Sequence, residues 1–259
     1  MNTYIIGVSG KKQSGKSTLC DFLASEYNGD SYYTHDKDIK IYSFADPLKR
    51  FCIDAMGLKE NQCYGTDDDK NTLTEYNWET LPLEIRNRFG TKEASKLSVG
   101  HWENKEFGGR EWVSNLVDAV THKSRTGSMT GREVLQIFGT DVMRGMFSDK
   151  IWVNATISLI KKENPPIALI ADARFESEIN ALMAEENGHV IRLTRKICED
   201  SHPSETELDT FDFAKLGERC LVIDNQTMTE AEKNVVARPF FEKIKAHVDN
   251  MRNRMIESE

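Results

Sequence analysis

The stretch Gly10–Thr18, GKKQSGKST, follows directly on the apolar run YIIGVSG and constrains this chain more than any other part of it. Two glycines, three lysines and three hydroxyls within nine residues have little to bury against protein. The order Gly10-x-x-x-x-Gly15-Lys16-Ser17 fits a loop built around phosphate. Without a Cβ in the way, backbone N–H groups can turn inward and approach an anion. Lys16 offers a mobile positive charge and Ser17 an oxygen for a magnesium ion, and the start of the following helix favours negative charge. A glycine-rich turn of no consequence is the alternative. The apolar strand before the loop and the amphipathic helix after it argue for the first reading.

Residues 3–8 are β-branched and apolar, the mark of a strand buried on both faces. Leu19, Cys20, Phe22, Leu23 and Tyr27 then recur at helical spacing, up to a stop at Asn28-Gly29. IKIYSFA (39–45) reads as a second strand, and Asp46-Pro47 opens a helix. From about 58 to 128 the pattern weakens and reads as an insertion, mostly helical, with DDDK (67–70) a solvated loop and REWVSNLVDAV (110–120) a helix. Regularity returns at Thr130, which has the spacing of a capping box with Glu133. Gly139-Thr140-Asp141 reads as the break between two helices, and a third helix covers 151–162. PPIALIAD (165–172) is a continuous apolar strand. The next helix carries Phe175, Ile179, Leu182 and Met183 on one face and ends at Gly188. HVIRLTR and RCLVIDN are two more short strands, and the last thirty residues are helical, with a kink or boundary at Pro239. Strands alternating with helices predict an α/β fold: a parallel five-stranded sheet with helices on both faces, forming one domain with the insertion at about 58–128 and a lid at about 195–210.

Composition narrows the function. With 259 residues, 39% of them hydrophobic, the chain can bury a large core. A net charge of −8 argues against a broad nucleic-acid footprint, so no nucleic-acid partner is expected. No apolar run approaches the roughly 18 residues of a membrane span. The start runs into TYIIGVSG without a basic region or a cleavage site, so no signal peptide is expected. The five cysteines form no Cys-x-x-Cys pair and read as reduced cytosolic thiols, and the protein is expected in the cytoplasm, that of the host if it is viral.

A phosphate loop names only one ligand, and a second must be held elsewhere along the carboxyl ends of the strands. Asp172 falls at such an end, beside Arg174. A carboxylate there can hold a metal-bound water or a sugar hydroxyl, and a guanidinium can clamp a phosphate with two hydrogen bonds. The plainer reading is a helix-capping Asp with a surface Arg. Arg132 and Arg144 flank the Gly139–Asp141 break and are either ligands or solvated helix cations; Trp152 is either core or a platform. Arg195 and Lys196 follow the fourth strand and can close over a transferring phosphoryl group or simply end the strand; His202 is a turn residue or a contact.

Four blocks together resemble the deoxynucleoside monophosphate kinases of tailed bacteriophages: GVSGKKQSGKST, REVLQIFGTD with DKIWV downstream, DARFESEINAL, and VIRLTR leading to DSHPSETEL. The resemblance implies transfer from ATP, with Mg2+, onto a deoxynucleoside 5′-monophosphate, of the dTMP, dGMP or modified dCMP type. By position it implies that Gly10, Lys11, Gln13, Gly15, Lys16, Ser17 and Thr18 hold ATP. Lys70, Arg132, Gly139, Thr140, Trp152, Asp172, Arg174 and Glu178 would surround the monophosphate, and Ser17 and Asp172 would serve the metal. Lys16, Arg132, Arg174 and Arg195 are then the catalytic cations. Lys70 stands where the family has arginine, and lysine cannot make the planar two-pronged contact. Two alternatives remain. YSFADPLKR (42–50) also resembles kinases of other phosphorylated small molecules, such as dephospho-coenzyme A kinase, with Asp46 and Lys49 on the acceptor. A nucleotide-binding ATPase that transfers to nothing would keep the loop and discard the second site. A homodimer is left open.

Overall fold

The computed structural model describes residues 2–28, 38–88, 91–95, 119–123, 125–196 and 206–257. In chain order the elements are β1 (Tyr4–Ser9), α1 (Lys16–Asn28), β2 (Ile39–Tyr42), α2 (Asp46–Asp54), α3 (Glu60–Tyr64), α4 (Asp67–Lys70), β3 (Leu73–Asn77), α5 (Leu83–Arg88), β4 (Thr91–Ser95), β5 (Ala119–Lys123), β6 (Ser128–Thr130) and α6 (Gly131–Gln136). A wide-turn helix (Ile137–Phe147), α7 (Ile151–Glu163), β7 (Ile167–Ala173), α8 (Glu176–Ala184), β8 (Gly188–Leu193), β9 (Cys220–Ile223) and α9 (Glu230–Ile256) follow. The chain divides into two compact units, one of Met1–Met56 with Val142–Glu259, the other of Gly57–Asp141.

In the larger unit five strands form a parallel sheet in the order β2-β7-β1-β8-β9. The apolar runs explain why. Neighbouring residues of one strand serve opposite faces, so a strand covered on both sides must be apolar at every position. Ile167 and Leu169 of β7 join Ile6 and Val8 of β1 on one face, under Leu19, Cys20 and Leu23 of α1 and Phe241, Ile244 and Val248 of α9. Ala168 and Ile170 join Ile5 and Val190 on the other, under Val153, Ile157 and Ile160 of α7 and Ile179 and Leu182 of α8. Because every strand runs the same way, the residues just past their carboxyl ends gather along one edge: Ser43 after β2, Asp172 of β7, the loop after Ser9, Arg192 of β8 and Asn225 after β9. The β1–β7 register slips between Gly7 and Ser9, where β1 enters the loop.

The smaller unit departs from the mostly helical insertion expected for 58–128. Its described residues hold two antiparallel pairs, β3 with β6 and β4 with β5, beside the short helices. In β3 the exposed and half-buried residues of LTEYN alternate, a faint signal because none of its residues is fully buried. Trp78 is buried there; its N–H donates to the Gly127 carbonyl at 2.9 Å, and the Arg125 guanidinium lies 5.1 Å from its ring centre. DDDK is not a loop but a single helical turn, α4, capped by Thr66, whose hydroxyl accepts from the Asp69 N–H at 3.2 Å. The predicted capping box forms at α6: Thr130 Oγ1 accepts from Glu133 N, and Glu133 Oε2 accepts from Thr130 N. Of the predicted helix 110–120, residues 110–118 lie outside the described residues, and 119–120 open β5.

Three punctuation readings fail for physical reasons. Gly139-Thr140-Asp141 breaks nothing: Ile137–Phe147 runs on through it as a helix of wide turns, in register with the bond from Ser148 N to the Met143 carbonyl five residues back. A helical glycine costs only about 1 kcal/mol, which packing offsets at this buried position. Gly188 does not end α8, which stops at Ala184; it opens β8, where a Cβ would sit 1.7 Å from the Leu182 carbonyl oxygen. Close approach, not a left-handed backbone, demands glycine there. Pro239 marks no boundary, since α9 continues through it. The second strand is also shorter than predicted, with 43–45 forming a turn before α2.

Candidate active site

The glycine loop joins β1 to α1. Gly15 has φ +90°, a conformation that side chains rarely adopt, and Gln13 takes φ +61°. At Gly10 a Cβ would lie 2.4 Å from Ser14 Oγ and 3.0 Å from the Leu193 carbonyl oxygen. The turn is closed by Ser14 N donating to the Lys11 carbonyl at 3.1 Å. Lys16 is 7% exposed; its ammonium donates to the carbonyls of Gly10 at 2.8 Å and Lys11 at 2.7 Å, within the loop's own ring. Ser14 Oγ is buried with no hydrogen-bond partner. A ring that a methyl group would obstruct, a lysine folded into it and an orphaned hydroxyl fit a phosphate chain. Ser17 and Thr18 are exposed at the start of α1. No group of three or more His, Cys, Asp and Glu able to hold a metal occurs among the described residues. Lys11 pairs with Asp209 at 2.6 Å, and Arg192 lies 3.8 Å from the same carboxylate while donating to Ser9 Oγ at 2.9 Å.

On the neighbouring strand Asp172 is fully engaged. Its carboxylate accepts from Ser43 Oγ at 2.5 Å, Phe44 N at 2.7 Å and Ala45 N at 3.2 Å. It therefore holds the turn that precedes α2 rather than capping the helix that follows it in sequence. Ser43, which the sequence reading passed over as strand, is part of this turn.

Glu178 is 4% exposed and braces the same strand end from α8. Its Oε2 accepts from the N–H groups of Arg174 at 2.7 Å and Phe175 at 3.0 Å. Arg144 lies 3.7 Å from its other oxygen and 3.7 Å from the centre of the Phe175 ring. Burial pushes the Glu178 carboxyl up to about 7, the Asp172 charge adds to this, and the two N–H donors and Arg144 oppose it. Because its folded pKa is raised, this carboxyl favours the fold most below about pH 4.5 and loses that contribution as pH rises through about 7. Glu178→Gln is therefore expected to flatten the stability profile between those values, by up to about 3 kcal/mol. Melting temperatures from pH 4.5 to 8 check this, and an unchanged slope would remove the assignment.

The remaining candidates divide between the units. Arg174 and Trp152 are half-buried in the larger one. Arg195 donates through Nε to the Asn225 carbonyl at 3.0 Å and through Nη2 to the Met228 carbonyl, and 197–205 of the expected lid lie outside the described residues. In the smaller unit Arg132 is exposed, donating to Asp67 at 2.7 Å and Asn71 at 3.2 Å. Lys70 precedes Asn71 at the end of α4. Gly139 is buried and Thr140 exposed. DDDK thus supplies the partner of Arg132, which its acidic composition alone did not disclose. The sequence reading also passed over Asn225 and Lys233, which touch the glycine loop from the segment after β9.

A parallel sheet in this order, with the glycine loop after its central strand and charged turns on the adjacent ones, defines an α/β protein of the P-loop type. Residues 4–231 match the deoxynucleotide monophosphate kinase family, and the chain belongs to that family of phosphotransferases. It is similar to a provisionally described deoxynucleotide monophosphate kinase of Acanthamoeba polyphaga mimivirus, 26% identical over 235 residues that cover 90% of this chain and 94% of the relative. It is also similar to the deoxynucleoside-5′-monophosphate kinase of Escherichia phage T5, 25% identical over 218 residues covering 78% and 84%. No helix among the described residues is long and apolar enough to cross a membrane.

Proposed function

We propose that the chain transfers the γ-phosphoryl group of ATP to a deoxynucleoside 5′-monophosphate of the dTMP, dGMP or modified dCMP type, with Mg2+. The observation that carries this reading is the placement of the glycine loop and the Asp172–Arg174 turn at the carboxyl ends of the paired strands β1 and β7. Phosphoryl transfer needs in-line placement and positive charge on the equatorial oxygens more than covalent help. In the proposal Lys16 leaves the Gly10 and Lys11 carbonyls for the outer phosphates of ATP, and Ser17 and Asp172 would serve a magnesium ion, which would neutralise phosphate charge. Asp172 also keeps the 43–45 turn in place. Arg174, positioned through its backbone by Glu178, takes the acceptor phosphate with Trp152 nearby. Arg132 is proposed as a further acceptor cation in exchange for Asp67, with Lys70, Gly139 and Thr140 as neighbouring contacts. Arg195, like Lys16, is bonded to two carbonyls in this structure, and it is proposed beside Lys16, Arg132 and Arg174 as a catalytic cation. The acceptor phosphate is already ionised and needs no general base.

Purified protein, ATP and Mg2+ are incubated with each deoxynucleoside monophosphate, with dephospho-coenzyme A and with no acceptor. Diphosphate product with at least one of the former is expected. ADP release at the same rate without acceptor would replace the reading by a plain ATPase. Arg174→Ala is expected to raise the acceptor KM by roughly ten- to a hundredfold, the worth of a charged hydrogen bond, and the ATP KM much less. Equal effects on both would place Arg174 on the wrong nucleotide.

A further inference from the structure

The Ser14 carbonyl meets a donor from beyond the loop, and the Gly15 carbonyl, which already accepts from Leu19 N at 3.1 Å and Thr18 Oγ1 at 3.1 Å, meets another. Both donors are buried side chains from beyond β9. Asn225, fully buried, donates through Nδ2 to the Ser14 carbonyl at 2.9 Å. Lys233, 2% exposed on the first turn of α9, donates to the Gly15 carbonyl at 3.0 Å and to Thr18 Oγ1 at 2.9 Å. Asn225 is itself fixed at its other end: its Oδ1 accepts from Arg195 N at 2.9 Å, and its carbonyl accepts from Arg195 Nε.

The geometry of the peptide unit turns these contacts into an orientation. In a planar trans peptide the carbonyl of one residue and the N–H of the next point in opposite directions, and none of the described peptides is cis. Holding the Ser14 carbonyl toward Asn225 therefore aims the Gly15 N–H the opposite way. Together with Leu19 N, Lys233 does the same for the Lys16 N–H: both donate to the Gly15 carbonyl, and Lys233 also holds Thr18 Oγ1, which donates to that carbonyl. A lysine buried this deeply is costly unless its hydrogen bonds are specific, and burial holds the Lys233 ammonium below its usual range.

We propose that Asn225 and Lys233 are positioning residues for phosphate binding: from behind the loop they turn the Gly15 and Lys16 N–H groups toward the phosphate chain of the donor nucleotide. The proposal rests on the reading of this loop as the triphosphate site. It gives Arg195 the part of fixing Asn225, and it accounts for the three hydrogen bonds that two buried polar side chains make to the loop and the start of α1.

The test uses the full chain with Lys233→Met, which keeps length and removes the donors, and Asn225→Asp, which keeps shape and the accepting oxygen but removes the donor to Ser14. Binding of inorganic tripolyphosphate and of ADP is measured calorimetrically in the presence of magnesium, beside the melting temperature and the KM values for ATP and for dGMP or dTMP. Each variant is expected to bind tripolyphosphate and ADP roughly tenfold more weakly and to raise the ATP KM by a similar factor, as loss of one charged or buried hydrogen bond implies. The acceptor KM should stay within about twofold, since that pocket does not use these N–H groups. A lower melting temperature with unchanged tripolyphosphate affinity would reduce both residues to structural supports and overturn the proposal. Should Lys233→Met fail to fold, Asn225→Asp carries the same measurements. A wild-type chain that binds neither tripolyphosphate nor ADP would overturn the reading of the loop itself, a result distinct from equal binding by wild type and variants.

Discussion

Lys16→Ala is expected to lower kcat by about two to three orders of magnitude, the worth of roughly 3–4 kcal/mol of transition-state stabilisation. The lysine is 7% exposed and bonded to two loop carbonyls, so its ammonium is held inside the ring that a phosphate chain would enter. A charge so confined interacts through little water and gains most where charge shifts during transfer. ADP affinity should fall less than turnover, because the backbone N–H groups remain. Single-turnover rates, set beside calorimetric binding of ADP, separate the two. A variant retaining more than about a tenth of wild-type kcat would mean that the charge on the transferring group comes from elsewhere.

Phe241→Ala is expected to cost about 3–5 kcal/mol of folding free energy. Phe241 is fully buried and packs in the cluster that seats α9 and α1 on the sheet. Truncation removes its apolar contacts and leaves a cavity that the surrounding strands, hydrogen-bonded on both sides, cannot collapse to fill. For a chain of this size that is a fall in melting temperature of roughly 6–20 °C. Val235→Ala on the same helix, at a 64% exposed position, should change stability by no more than about 0.5 kcal/mol. Urea unfolding of the pair checks both. A loss at Val235 as large as that at Phe241 would show that burial in the seat of α9 does not set the cost, since alanine is the better helix former at both positions.

The sheet was legible because its inner strands, covered on both faces, must be apolar at nearly every position, and the runs around Ile6, Leu169 and Ile191 say so without a partner in view. The glycine loop was legible because its geometry cannot be built from other residues. Punctuation was less so. Gly188 and Gly139 look alike in sequence, yet one answers to a carbonyl 1.7 Å from its missing Cβ and the other lies within a continuous helix. The smaller unit hid its strands because short, half-exposed hairpins lack a strong alternation. In the candidate site, Asp172 could be found from its place at a strand end, but its partners Ser43, Phe44 and Ala45 come from a strand end about 130 residues earlier. Lys233 left no trace at all. A lysine on a charged terminal helix is ordinarily solvated, and only the fold reveals that this one is buried.

The order of the strands has a bearing on how the chain matures. The central strand β1 is made well before both of its neighbours, β7 and β8, which lie beyond residue 166, and β7 is also the neighbour of β2 among the described residues. Until residues 167–193 are made, the nascent glycine loop hangs on a strand whose two sheet neighbours do not yet exist, and both pairings that anchor it are long in sequence separation, which slows folding. Polypeptides cut short at 141 would thus display β1 and β2 as unpaired sticky ribbons, so that competence can arise only once β7 and β8 have been made.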